Sequence, residues 1–523
     1  MPLCVDYRFC RLLSACCILF SAKLTQKVKR PALSRAEIVL LAISLLVVVV
    51  YFYHVPQNPV GFFVDEASIA YNAHTIAQSG TDEHGYRFPL YFPAFGEYKS
   101  PVYIYILAAV FWLTGPSVSV ARLMSATAGL VAAMLFGVLA CQLARRRSVG
   151  LMVFLIAALT PWLFEISRLV FEVALLPVIL ALFLLMLQHA AKRERWSWLI
   201  AAALGGLLGL MTYTYSVGRL LALPFALGLA FFFTRQRWRK VVLTWIVFGL
   251  TLLPLGVFTL RHPGALSERF KFVSFVQPGD TRSQIAFRFV QNYVENFSPR
   301  RWLAYGDPEP RHHLPGMGSL LIGAVALSAL GLIVVLWRYR REAWWRFIIY
   351  GLLVSPIPAA LTLDYFHTLR LIALPCFLIV LTVPAIEFLL EEGEQRGQAR
   401  RVALIVLVLI TLLQGAVFQW RFHNALPRVD AFDSYYPELL AMALAQPERP
   451  IYLYDKTPAA YVYAYWYATL GDVSINNFRR LSRDETPPPG AIVIGHELPC
   501  TDCEVIISRG QFQVYKQLVN SKQ

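Results

Sequence analysis

The sequence predicts an all-α polytopic membrane protein carrying a small α/β domain near its C-terminal end, and three features carry that prediction. Of 523 residues, 57% are hydrophobic and only 15% charged, with a mean hydropathy of +0.53. So little polar surface cannot cover a water-soluble globule of this size. Apolar runs recur along the chain, each near the length a helix needs to cross about 30 Å of hydrocarbon. Lysine and arginine gather in alternate connections between those runs, the pattern of a chain whose basic loops stay cytoplasmic.

In chain order, residues 1–36 form a basic extension whose stretch LLSACCILFSA is too short to span and reads as cytoplasmic or interfacial. About eleven transmembrane helices follow, near 37–55, 119–142, 148–166, 171–190, 197–214, 219–234, 241–260, 317–337, 347–363, 371–390 and 402–420. The membrane domain is therefore 37–420. The N-terminal segment and the connections around Arg146, Lys192, Arg239, Arg340 and Arg400 hold half of the 48 basic residues. This puts the N-terminus in the cytoplasm and, across an odd number of spans, residues 421–523 outside the plasma membrane. The net charge of +16 is then largely spent on cytoplasmic caps that meet anionic lipid, so a nucleic-acid partner is discounted.

Three segments fall outside: 56–117, 261–316 and 421–523. In the first, 65–79 and 101–114 read as juxtamembrane helices along the outer interface. In the last, strands at 451–454, 491–494, 504–507 and 512–515 with a helix at 458–470 make the α/β domain. The tyrosine tract from Tyr461 to Tyr467 reads as core packing and receives no binding role. Cys500 and Cys503 form a local disulfide or remain two thiols.

Polar residues that interrupt the pattern at outer helix ends are Asp65, Glu66, Glu97, Lys99, Ser167, Arg168, Glu172, Tyr213, Tyr215, Arg219, Asp364, His367 and Arg370. Ionisable groups near hydrocarbon are costly and usually line a pathway or site. Duller roles compete. Asp65 and Glu66 suit a helix N-terminus, and Arg168 or Arg219 suits a headgroup anchor. His312 and His313 read as a surface loop, and Asp82-Glu83-His84 as the more plausible place for a divalent cation; no cofactor or metal site is otherwise assigned.

The stretches FFVDEASIAYNAHTIAQSG, FPLYFPAFGEYKSPVYIYILA and NYVENFSPRRWLAYGDPEPRHHLPGMG resemble the external loops of GT-C polytopic glycosyltransferases, the group of the protein O-mannosyltransferases and lipid A aminoarabinose transferases. The resemblance runs from Phe63 through Pro375. It implies transfer of a monosaccharide from a polyprenyl-phosphate donor to a hydroxyl of an acceptor protein, lipid or glycan on the extracytoplasmic side. Such a transfer needs a carboxylate to take the acceptor proton and cations to stabilise the departing phosphate. The resemblance places the acid at Asp65, with Glu66 beside it, and the phosphate-facing lysine at Lys99. Glu97, Arg168, Tyr215, Arg219, His367 and Arg370 complete the expected donor site. A single base without a carboxylate nucleophile implies inversion, by analogy with inverting glycosidases. The rival readings are a transporter or flippase of a lipid-linked or small polar substrate, a polysaccharide polymerase or ligase, and an outer binding module on a membrane anchor. A transporter usually carries its charges near the midplane on interrupted helices, whereas these crowd the outer ends.

Overall fold

The computed structural model describes residues 33–391, 396–425, 428–454, 459–482, 485–496 and 502–518. The cysteines of the N-terminal extension and Cys500 lie outside the described residues. Each of the eleven apolar runs is helical, but they differ in reach. Among the described residues seven helices are long and apolar enough to cross a membrane, or eight if Arg147–Leu159 and Pro161–Ser167, bent by 62°, count as one. The break falls where Pro161 removes a backbone donor from the helical ladder. Trp198–Thr214 and Ser216–Phe232 are apolar but shorter. The run expected at 347–363 is a helix Ala343–Val354 that gives way at Ser355 and Pro356 to a single turn, Ile357–Ala360.

Segment 56–117 departs from the expected pair of helices lying along the interface. Val64–Ser79 is buried along most of its length, including Ala67, Ile69, Ala70 and Ala73. Pro101–Thr114 keeps Trp112 and Leu113 exposed at its end, as an interfacial helix does. Between them a short hairpin not anticipated from the sequence, β1 (Phe92–Ala94) and β2 (Glu97–Lys99), turns through Phe95 and Gly96, both at positive φ. It pairs Phe92 with Lys99 and Ala94 with Glu97.

What covers Val64–Ser79 is the C-terminal domain. Its five-stranded sheet has the order β4 (Phe478–Leu481), β3 (Ile451–Tyr454), β5 (Ile492–His496), β7 (Phe512–Gln517), β6 (Cys503–Arg509). The first three are parallel and the last pairings antiparallel. β4 was missed because Arg479 and Arg480 interrupt its short apolar pattern. Cys503 is disulfide-bonded. The tyrosine tract is the helix Ala460–Leu470, with Trp466 fully buried and stacked 5.6 Å from Phe62 and 6.1 Å from Phe111. The α/β domain therefore shares one core with the membrane helices beneath it.

Removing that indole empties the joint. Trp466→Ala is expected to destabilise the protein by about 3–5 kcal/mol, the usual cost of a large aromatic truncation, measured as loss of the folded, monodisperse fraction on heating in detergent. Trp466→Phe should retain most of the stability.

Candidate active site

The segment 56–66 is bent into place before it becomes helical. Gly61 sits at φ +82°, and a Cβ there would stand 2.4 Å from the Phe432 carbonyl oxygen, which accepts the Phe62 N–H at 3.0 Å. Only glycine fits so close an approach at positive φ. The helix then begins with two acids in its first turn, where the dipole favours negative charge.

The two acids have separate fates. Glu66 is fully buried and fully employed: it accepts from Arg122 Nη2 at 2.9 Å and Nε at 3.2 Å, from the Val170 N–H at 3.0 Å, and from the Phe63 N–H at 2.9 Å. Arg122 in turn donates to the carbonyls of Pro59 and Gly61. Asp65 is about one-quarter exposed and lines a cleft, where its Oδ1 accepts from Lys99 Nζ at 2.5 Å.

The cleft has about 130 Å³ of water-accessible space. Asp65, Glu97, Lys99, Tyr215 and Arg219 line it, joined by Glu172, Tyr98, Ser100, Phe171, Leu266 and Leu369. It thus collects residues from the Val64–Ser79 helix, the β1–β2 hairpin, and two helix starts, at Glu172 and Ser216, both more than a hundred positions after Asp65. Lys99 is held by the hairpin and packs over Phe95 at 5.4 Å. Burial alone would lower the Lys99 pKa, but Asp65, Glu172 and Glu97 surround the ammonium and raise it, so it is charged at neutral pH. Glu172 Oε1 accepts the Ser100 N–H at 2.5 Å, fixing the end of the hairpin. Arg219 stands 5.0 Å over the Tyr91 ring, makes no ion pair among the described residues, and leaves its buried Nε without a hydrogen-bond partner there.

Three expected donor-site residues lie apart from this lining. Arg168 is buried and donates to the carbonyls of Tyr51 and Tyr53 at 3.3 and 2.7 Å, between the rings of Phe164 and Phe422. It closes the C-terminal end of the Arg35–Phe52 helix, whose terminal carbonyls have no helical partners. Arg370 is paired with Asp364 at 2.6 Å and with Thr362 at 2.8 Å, though its neighbour Leu369 reaches the cleft. His367 joins Asp307 and His312. The histidines expected in a surface loop are buried: His313 is held by Glu165 at 2.9 Å and the Met317 carbonyl at 2.7 Å, while His312 turns the other way. Asp82, Glu83 and His84 do not all converge on one point, although His84 Nε2 comes within 3.7 Å of Glu83 Oε1. Asp82 accepts the N–H groups of His84 and Tyr86, and Glu83 turns to Asn72. Burial pushes Glu83 up to about 7 despite that hydrogen bond and nearby cations.

The residues that sequence reasoning passed over include Arg122, a lone cation in the 119–142 run. Its presence there was the available clue. Tyr98 and Leu266 carry no chemical signature and enter the lining only through the fold.

The family profile described as dolichyl-phosphate-mannose-protein mannosyltransferase matches residues 98–259, a stretch that contains Lys99, Glu172, Tyr215 and Arg219. Among solved structures, ArnT from Cupriavidus metallidurans bound to undecaprenyl phosphate aligns with TM-score 0.57 at 13% identity, covering 92% of this chain and 98% of that one. The apo structure of the same protein aligns with TM-score 0.57 at 12% identity, over 92% and 97%. No curated protein sequence matches. The chain is thus a multi-pass membrane protein with the GT-C fold. Its particular architecture is ArnT-like, membrane helices and small C-terminal domain together.

Arg122→Ala strands the Glu66 carboxylate in the core. It is expected to destabilise by about 3–5 kcal/mol, as loss of one partner of a buried pair does. Glu66→Gln with Arg122→Met, which removes both charges, should recover much of that loss in a thermal melt.

Proposed function

We propose that the chain is a membrane glycosyltransferase moving a monosaccharide from a polyprenyl-phosphate carrier to an acceptor hydroxyl on the extracytoplasmic side, with inversion at the anomeric carbon. The observation that carries this reading is the lining of one cleft by a partly exposed carboxylate, Asp65, and two cations, Lys99 and Arg219, of which Arg219 makes no ion pair among the described residues. The family match and the fold shared with a protein crystallised with undecaprenyl phosphate agree with it. A lipid phosphate reaches the cleft at headgroup depth, its chain in the bilayer and its sugar beyond.

In this mechanism Arg219 takes the phosphate by paired hydrogen bonds from its planar guanidinium. Lys99 has two anions to choose between. With the cleft unliganded it neutralises Asp65; once the phosphate is seated, the ammonium shifts toward it and the carboxylate is released to accept a proton. The acceptor oxygen then bonds to the anomeric carbon as the bond from that carbon to the phosphate oxygen breaks. The hydroxyl proton passes to Asp65, and the phosphate leaves with the bonding electrons, stabilised by both cations. Glu66, with both oxygens engaged, positions Asp65 by fixing the first turn of its helix. Glu97 and Glu172 keep Lys99 charged, and Tyr215 borders the sugar side.

Two experiments test the reading. Purified protein given a labelled polyprenyl-phosphate sugar and acceptor should release free polyprenyl phosphate, and Asp65→Asn should slow release by about 100-fold or more while donor binding stays as tight or tightens. Arg219→Ala should weaken competition by free polyprenyl phosphate by about 1.5–3 kcal/mol, the range for charge-assisted hydrogen bonds, with Arg219→Lys intermediate. Near wild-type turnover in Asp65→Asn would remove the base. Reporter fusions at Lys192 and Arg340 should read cytoplasmic and fusions at His84 and Gly279 external; the reverse would put the cleft on the wrong face for this donor geometry.

A further inference from the structure

We infer that Asp307, His312 and His367 form a binding site for a divalent transition ion of the zinc type, at the edge of the cleft and independent of the reaction proposed for it. The three residues come from the 306–321 connection and the 361–372 connection, and their potential ligand atoms all lie within 4.8 Å of one another. His312 and Asp307 are buried, at 5% exposure each. Two imidazoles and one carboxylate are a nitrogen and oxygen donor set suited to Zn²⁺ and poorly suited to Mg²⁺ or Ca²⁺. No other His, Cys, Asp or Glu group among the described residues brings three ligand atoms together in this way.

A purely structural ion pair would account for the cluster less well. His312 Nδ1 lies 3.6 Å from Asp307 Oδ2, beyond hydrogen-bonding reach, and this buried nitrogen has no hydrogen-bond partner among the described residues. A buried polar atom left so is costly. The Asp307 carboxylate is instead oriented by its surroundings: Oδ2 accepts from the Thr368 N–H and hydroxyl at 2.7 and 2.6 Å, and Oδ1 accepts the Glu309 N–H at 2.9 Å. Hydrogen bonds of this kind hold a metal-binding carboxylate in place. The rings of His312 and His367 are 5.0 Å apart and inclined at 45°, so they converge on a point and do not stack flat. The chain around them is shaped to permit this. Gly306 is at φ +62°, and a Cβ there would stand 2.1 Å from the His313 ring. His313 can therefore turn to Glu165 while its neighbour His312 turns to the cluster.

The consequence is a staple. His312 packs 6.2 Å from Phe171, a cleft residue, and His367 is two positions from Leu369, another. An ion held here ties two connections to each other beside the cleft wall.

The test uses the full-length, tag-free protein in detergent, with Zn²⁺ itself as the probe. Elemental analysis after desalting, or titration against a zinc indicator, should find about one Zn²⁺ per chain. A chelator should lower the melting temperature, and Zn²⁺ should restore it. His312→Gln, His367→Gln and Asp307→Asn should each weaken Zn²⁺ binding by more than about 10-fold, since losing even a group that only orients a ligand costs that much, and should lose the chelator response. Absence of bound Zn²⁺ and of any chelator response in the wild type would overturn the site whatever the variants do. Unchanged stoichiometry and affinity in the double variant His312→Gln/His367→Gln would place the ion elsewhere and overturn it equally.

Discussion

The buried carboxylate of Glu66 is the tie on which the cleft end of this protein depends. It receives hydrogen bonds from Arg122, from the Val170 N–H and from the first turn of its own helix. One side chain thereby joins the Val64–Ser79 helix to the Val118–Ala144 helix and to the segment that leads into Glu172–Ala191. Arg122, by holding the carbonyls of Pro59 and Gly61, also fixes the approach to that helix. Such a pair has little net stabilising value, because desolvation of both charges offsets their attraction, but it strongly disfavours any other register. Asp65, one residue earlier and turned the other way, inherits its position from it.

The second constraint is that the cleft has an uneven charge pattern. Asp65, Glu97 and Glu172 surround Lys99, whereas Arg219 lines the same cleft with no ion pair among the described residues. An anion brought into the cleft is attracted chiefly by Arg219 and competes with Asp65 for Lys99. In the proposed reaction that competition couples donor binding to the freeing of the base, so the acid is neutralised until a phosphate is present. The C-terminal domain supports the arrangement from above, through Trp466 against Phe62 and Phe111.

Much of the fold was legible because hydrocarbon imposes a simple rule: long apolar runs and basic loops identify helices and a multi-pass chain. Where the rule was too coarse, the reasons are local. Ser355-Pro356 cuts one run short, and Pro161 bends another. Val64–Ser79 looked interfacial because its polar residues could not announce that a domain four hundred positions later would cover it. At the site, Asp65, Glu97, Lys99, Tyr215 and Arg219 were all anticipated from their places at outer helix ends and from family resemblance, and the fold brings them to one cleft. Arg168 and Arg370 share the same sequence character but were spent elsewhere, one on the carbonyls ending a helix and the other on Asp364. Sequence carries the cost of a charge near the membrane; it does not carry which partner meets that cost. His312 illustrates the same gap, since His367, whose ring lies 5.0 Å from its own, is 55 positions away in sequence.

The most direct measurement is a structure of the protein with a polyprenyl phosphate bound. The account predicts phosphate oxygens within hydrogen-bonding distance of Arg219, with Lys99 drawn away from Asp65 and the Glu66–Arg122 pair unchanged. Phosphate seated against Arg168 or Arg370, with Lys99 still on Asp65 and Arg219 untouched, would contradict it.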